Sequence, residues 1–206
     1  MSMGARLRRA AAALEDPPVI DVAQRAADEG LVDIAFATVD SPFGTFVVAM
    51  TDRGLVRLAL APARVDDVVA ELSHRISPRI FEMPSRVDPV RRELDEYFAG
   101  KRWAFDVAID WSLSSGFKGR VLHATARIPY GEVSSYGEVA AEAGSPRAAR
   151  AAGNALHNNP IAIVVPCHRV VGADGSLTGY GGGLPMKEAL LRLEGSFRDS
   201  DAGGLR

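Results

Sequence analysis

Three stretches, DIAFATV, GTFVVAM and GLVRLAL, carry apolar residues on a period of two and are separated by DSPFG and TDRG. That pattern and those turn residues predict a small antiparallel meander from about Val32. The period then lengthens. RVDDVVAELSHRI has helical spacing, and DPVRRELDEYFAG reads as a helix capped by Asp88, opened by Pro89 and stopped by Gly100. AFDVAIDW returns to strand-like alternation, and SLSSG closes this first unit.

From Phe117 the spacing is helical again, over roughly Lys118 to Arg127, Ser135 to Ala143 and Pro146 to His157, with short turns at IPYGEV and AGSP. Two helices joined by a brief turn outline a helix-turn-helix. The last helix, PRAARAAGNAL, is poor in large side chains. Its backbone can lie very close to a neighbour, either another helix or the floor of a groove. IAIVV then reads as a strand that must end at Pro166, which cannot donate to a ladder. At the other end, residues 1 to 31 read as an appendage of two short helices broken at DPP, the second from Val19 to Glu29 with Gly30 at its stop. The expected organisation is therefore an extension (1–31), an α/β domain (32–115), a mostly helical domain (116–196) and a tail (197–206).

Composition narrows the classes. The 206 residues suffice for a large core, and the single cysteine excludes an intramolecular disulfide. No Cys and His cluster has zinc spacing, so neither metal nor cofactor is expected, and a reducing compartment is the default. The N-terminal basic stretch leads only into AAAAL before Glu15 and Asp16, too short for a signal peptide, and no later run could span a bilayer. The expectation is a cytoplasmic protein without a membrane partner. A net charge of −2 conceals −4 over residues 1–115 and +2 over 116–196. The second half is thus free to meet a polyanion, without being shown to do so. Lysine occurs only at 101, 118 and 187 against many arginines, a bias to which no functional weight attaches.

The one cysteine, Cys167, sits in IVVPCHRVVG beside His168. A small apolar residue at the edge of a core is the plain reading. As a nucleophile the thiol needs activation, because at neutral pH roughly a tenth or less is thiolate. His168 and Arg169 are the local candidates, and Asp174, Glu188 and Glu194 are the acids that could orient the histidine. In a continuing strand Cys167 and His168 would face opposite ways, so pairing them requires a bend or a bridging water.

IPYGEVSSYGEVA, SPRAARAAGNALHNNPIAIVVPCHRVVG and GSLTGYGGGLPMKEALLRLEG follow one another as they do in the O6-alkylguanine-DNA alkyltransferases, also called methylated-DNA–protein-cysteine methyltransferases, which this chain resembles nearly without gaps from Phe117 to Gly195. DSPFGTFVVAMTDRGL and LDEYFAGKRWAFDVAID extend the resemblance more loosely back to Ile34. It implies an α/β fold: a ribonuclease-H-like N-terminal domain with an antiparallel meander, then a mostly helical winged helix-turn-helix domain that binds DNA. The implied function is direct repair, by irreversible transfer of one alkyl group from O6-alkylguanine, and from O4-alkylthymine, in double-stranded DNA to Cys167.

In that family the base is flipped out of the duplex. The resemblance makes Arg150 the finger that replaces it, with Ser135, Ala148, Ala149, Ala151, Gly153 and Asn154 also at the DNA on a helix seated in the minor groove. His168, held by Glu194, would take the thiol proton through a water, Tyr136 would donate toward guanine N3, and Asn159 would brace the turns around the cysteine. Tyr180 would wall the pocket, the Gly181 N–H would face O6, and the carbonyls of Cys167 and Val170 would accept from the guanine amino group. Two departures stand out. Lys118 and Leu122 occupy positions where the family usually has glutamine and tryptophan, and Gly181 replaces a frequent serine. A monomer is expected. The rivals are a lesion-flagging alkyltransferase-like protein, against which Cys167 itself argues, and a hydrolase pairing Cys167 with His168, His157 or His123.

Overall fold

A computed structural model describes residues 22–197. Helix α1 (Val22–Asp28) ends at Gly30, whose φ of +69° is the left-handed stop that the sequence signalled. The start expected at Val19, the first predicted helix and nearly all of the tail lie outside the described residues.

Strands β1 (Ile34–Val39), β2 (Phe46–Thr51) and β3 (Gly54–Ala59) form the expected antiparallel meander, with Val39 opposite Phe46 and Val47 opposite Ala59. A short strand β4 (Ile80–Glu82), which the sequence reading missed, adds to β1 in parallel and makes the order β3-β2-β1-β4. Both faces are covered. Phe46 and Val48 join the main core, while Val47 and Ala49 point to a second cluster under α2 (Val65–Arg75) with Val68 and Leu72.

Helix α3 runs Pro84–Phe98. Asp88 is therefore not its cap and Pro89 lies inside it, a correction with a simple cause. The buried stripe Val87, Val90, Leu94, Tyr97 begins upstream of Asp88, and Pro84 supplies the preset φ of a first turn. AFDVAIDW is not a strand. It follows the edge of β3 for one step only, with Leu55 N donating to Ala108 O at 2.8 Å and Asp110 N to Leu55 O at 2.9 Å, before a 3-10 turn (Trp111–Leu113).

Helices α4 (Gly116–Thr125), α5 (Tyr136–Glu142) and α6 (Ala149–His157) match the helical reading, and α7 (Leu184–Leu193) is the last helix among the described residues. A two-residue ladder joins β5 (Ser134–Ser135) to β6 (Val170–Val171) in parallel. The segment IAIVV is not a strand either. Ile161 meets the free edge of β3, where Leu58 N donates to Pro160 O at 2.8 Å, and the chain then doubles back so that Ala162 pairs with Val165. Ile163 carries the turn at φ +70°, costly for a β-branched residue. Its side chain is fully buried, which offsets that cost.

One continuous core runs from the sheet through α3 to α4 and α7, with Leu58, Leu94, Leu122, Ile161 and Leu190 all fully buried. The edge of β3 is thus the rail against which the segment leading to Cys167 is set. Gly54 at its start, φ +131°, leaves no room for a side chain, since a Cβ would fall 2.2 Å from the Ala108 carbonyl oxygen. Gly54→Ala is expected to cost about 3 kcal/mol, read as a lowered urea midpoint at unchanged slope.

Candidate active site

Cys167, His168 and Arg169 form a single buried 3-10 turn between the doubled-back segment and β6. About 120° separates successive side chains in such a turn, so the three point into different parts of the interior. This is the bend that neighbouring thiol and imidazole require.

Asn159 fixes the turn. Its Oδ1 accepts from Ile161 N at 3.0 Å, while Nδ2 donates to Val165 O at 2.9 Å and to Cys167 Sγ at 3.2 Å. The two backbone partners, one donor and one acceptor, settle the orientation of the amide. Burial pushes the Cys167 thiol up from its ordinary value, while the Asn159 bond and the Lys187 ammonium pull in the other direction. The resting group is a thiol.

His168 is wholly buried, and its Nε2 lies 2.9 Å from Glu194 Oε1. Burial pushes its pKa below the ordinary imidazole value, so the ring is neutral. Glu194 is also buried, yet its bonds to His168 and Arg169 outweigh desolvation and bring its carboxyl down to about 2. An ionised carboxylate only accepts. The proton of the neutral ring therefore sits on Nε2, and Nδ1 keeps a bare lone pair. Nδ1 is buried and without a partner.

Glu194 collects more than the histidine. Arg169 Nη2 donates to Oε1 at 2.8 Å and Nε to Oε2 at 2.9 Å, with Nη1 on the Ile128 carbonyl at 2.6 Å. Tyr97 of α3 donates its hydroxyl to Oε1 at 2.7 Å. Of the acids left open by the sequence, Glu194 reaches the histidine, whereas Asp174 takes Ser176 and Glu188 pairs with Arg192.

Cys167, Asn159, Tyr180 and Gly181 line one cavity of about 200 Å³ together with Leu58 and Ala59 at the end of β3 and Leu60 just after it. The Tyr180 hydroxyl is buried there without a partner, and nothing crowds Gly181. Tyr136 and Val170 are not among its lining residues. They meet next door through Lys187, a fully buried ammonium that donates to Val170 O at 2.5 Å and Thr178 O at 3.1 Å and lies 6.0 Å from the Tyr136 ring centroid. The Thr178 and Tyr136 hydroxyls are hydrogen-bonded at 2.8 Å. The Cys167 carbonyl accepts from Val170 N, so both carbonyls expected at a guanine amino group already hold one bond each and keep one lone pair.

Helix α6 buries Ala152, Ala155 and Leu156 and leaves Arg150, Ala151 and Asn154 exposed, with Ala148, Ala149 and Gly153 half-buried. Gly153 faces the Tyr136 ring, where a Cβ would sit at 3.6 Å. Ser135 caps α5, its hydroxyl accepting from Glu138 N and Glu138 accepting from Ser135 N. Sequence reasoning missed Tyr97 and Lys187, and it placed Arg169 beside the thiol rather than on Glu194. Neither Tyr97 nor Lys187 carries a local signal, since the scarcity of lysine in an arginine-rich chain marks no role by itself.

Residues 34–111 match the family model described as "6-O-methylguanine DNA methyltransferase, ribonuclease-like domain", and residues 116–196 the one described as "6-O-methylguanine DNA methyltransferase, DNA binding domain". The methylated-DNA–protein-cysteine methyltransferase of Mycolicibacterium paratuberculosis is 45% identical over 161 residues, 78% of this chain and 92% of that protein. The constitutive enzyme of Bacillus subtilis is 37% identical over 77% of this chain and 94% of its own length. Among solved structures, Mycobacterium tuberculosis OGT in complex with DNA aligns with a TM-score of 0.67 at 42% identity, covering 82% of this chain and 97% of that one.

The depressed Glu194 carboxyl links stability to acidity. Its stabilisation is complete above the unfolded value near 4.5 and is lost as pH falls through about 2. Glu194→Gln should cost about 3 kcal/mol at neutral pH. Urea titrations stepped from pH 5 to pH 2 should show wild type and variant converging.

Proposed function

The chain belongs to the 6-O-methylguanine DNA methyltransferase family, and from that premise we propose that Cys167 is the residue to which the alkyl group passes. Its activity is that of a methylated-DNA–protein-cysteine methyltransferase in DNA repair, and its partner is DNA. The lesion read is O6-alkylguanine, with O4-alkylthymine as a second substrate, and the protein works as a cytoplasmic monomer. Residues 116–196 carry the acceptor and the DNA surface, while residues 32–115 supply part of the cavity lining.

The observation that carries this reading is a buried thiol lining a cavity and followed directly in the chain by a buried imidazole whose Nδ1 lone pair is unpartnered. Arg150, exposed on the small-residue face of α6, enters the base stack as the target guanine leaves it. An intercalating side chain offsets part of the few kcal/mol that unstacking costs. The guanine lodges beside Tyr180, with O6 toward the Gly181 N–H and its amino group toward the second lone pairs of the Cys167 and Val170 carbonyls.

The thiol proton passes through one water to His168 Nδ1, and the imidazolium that forms is held by the ionised Glu194. The thiolate attacks the alkyl carbon in line. A sulfur–carbon bond forms as the carbon–O6 bond breaks, and the electron pair passes into the purine. The phenol proton of Tyr136 goes to N3, so guanine leaves neutral. The product is a thioether on Cys167, and no group in the site regenerates a thiol from it. One protein therefore repairs one base. Arg150, Ala149, Ala151, Gly153 and Asn154 give α6 the shallow, cationic profile that close approach to a groove needs.

Mixed with a short duplex containing one O6-methylguanine, the protein should gain the mass of one methyl group, mapped to Cys167, with stoichiometric loss of the lesion. Cys167→Ser should bind the same duplex within about twofold and gain nothing, because a hydroxyl replaces the nucleophile without altering the docking face. Loss of binding together with transfer would make Cys167 structural. Arg150→Ala should slow transfer from the duplex by roughly 10-fold or more while leaving transfer from the free base O6-methylguanine unchanged. Equal slowing on both substrates removes Arg150 from the finger role.

A further inference from the structure

Glu194 is the second member of the relay, and one of its donors comes from outside the DNA-binding domain. Tyr97, near the end of α3, is separated by 97 positions from the carboxylate its hydroxyl touches, and its ring is fully buried against Phe98, Phe105 and Tyr130. The oxygen it reaches is Oε1, the same one that holds His168 Nε2 and Arg169 Nη2. Three donors on a single carboxylate oxygen compete for its charge, and each weakens the hold of the others. Packing alone would be served by phenylalanine.

We propose that Tyr97 is a positioning residue through which the ribonuclease-like domain sets how strongly Glu194 pulls on His168, and so how readily His168 accepts the cysteine's proton. The inference rests on the reading of Cys167, His168 and Glu194 given above. Nothing in the hydroxyl touches substrate. Its action is on the carboxylate, by taking up part of the charge that would otherwise stabilise the imidazolium. Other groups face the pair: Arg169 and Lys187 oppose a positive charge on His168, the Tyr180 ring stands edge-on to the imidazole with centroids 6.4 Å apart, and the Tyr130 ring lies against the Arg169 guanidinium. Among the described residues, Tyr97 is the group of the ribonuclease-like domain that makes a direct hydrogen bond to Glu194.

The test is the pH dependence of the single-turnover transfer rate, whose acid limb reports protonation of the base. Tyr97→Phe keeps the ring and removes the donor. Oε1 then binds Nε2–H more tightly, the imidazolium is favoured, and the acid limb should move to higher pH by about half a unit to one unit. Site-specific 3-fluorotyrosine at position 97, a stronger donor of nearly the same size, should move it to lower pH and serves if the phenylalanine variant folds poorly. Tyr130→Phe is the control. It deletes a hydroxyl from the same aromatic cluster, one that donates to the Leu193 carbonyl at 2.9 Å rather than to Glu194, and should leave the limb in place.

Opposite shifts for the two Tyr97 replacements, with none for Tyr130→Phe, establish the role. A limb that coincides with wild type in both Tyr97 variants overturns it, whatever happens to their stability. If wild type itself adds no methyl to Cys167, the fault lies in the underlying reading and not in Tyr97.

Discussion

A buried carboxylate without enough donors would unfold this protein or refuse its charge, and the architecture is arranged around preventing that at Glu194. The bidentate Arg169 pair and the imidazole reach it from the Cys167 turn, and the Tyr97 hydroxyl reaches it from the other domain. Removing water from an ion costs several kcal/mol, recovered only where geometry and further hydrogen bonds are good. Here the remaining guanidinium nitrogen is also satisfied, on the Ile128 carbonyl. The cluster consequently locks the Cys167 turn, the end of α7, the loop after α4 and the sheet-bearing half of the chain into one register. A mobile domain boundary is incompatible with such a joint.

The site residues are placed by irregular backbone more than by regular elements. The doubled-back segment 161–165 hangs on the edge of β3 at Leu58, is turned at Ile163 and is stapled by the Asn159 amide. Each fixing interaction comes from a different source, so the loop is over-determined, as a strained functional loop must be to persist. The capping box at Ser135 fixes where α5, and with it Tyr136, begins.

Much of this is legible in the amino-acid sequence. The meander was marked by its turns, and α5 and α6 by their helical spacing and the short turns between them. The family resemblance pointed by motif to Cys167, His168, Glu194 and Asn159, which the fold brings together. What failed did so for physical reasons. IAIVV and AFDVAIDW have the composition of strands, but each contributes only a step or two to the edge of β3 before tertiary contacts bend it away. Periodicity reports which residues are apolar, not how many ladder partners await them. Asp88-Pro89 imitates a helix start inside a helix whose buried stripe begins earlier. Tyr97 and Lys187 were invisible because their partners lie 97 and 17 positions away, on a carboxylate and a backbone carbonyl. No local pattern encodes a hydroxyl aimed across a domain interface.

The charges of the site alternate in sign along the order Lys187, Cys167, His168, Glu194, Arg169 once the thiol proton has moved. At rest the two central groups are neutral, because burial disfavours both thiolate and imidazolium. After transfer each new charge lies beside its opposite: the thiolate near the Lys187 ammonium and the Asn159 amide, the imidazolium against Glu194. Lys187, brought down to about 8 by burial, remains mostly protonated at neutral pH and so keeps its place in the series. Separating charge in a dry interior is expensive only when the surroundings must reorganise, and these flanking charges are fixed in advance by bonds unrelated to the proton. The buried thiol can therefore stay unreactive toward solvent oxidants and electrophiles and still be a short proton transfer from its nucleophilic form. For a protein that can use its cysteine once, inertness at rest is as necessary as reactivity with the base in place.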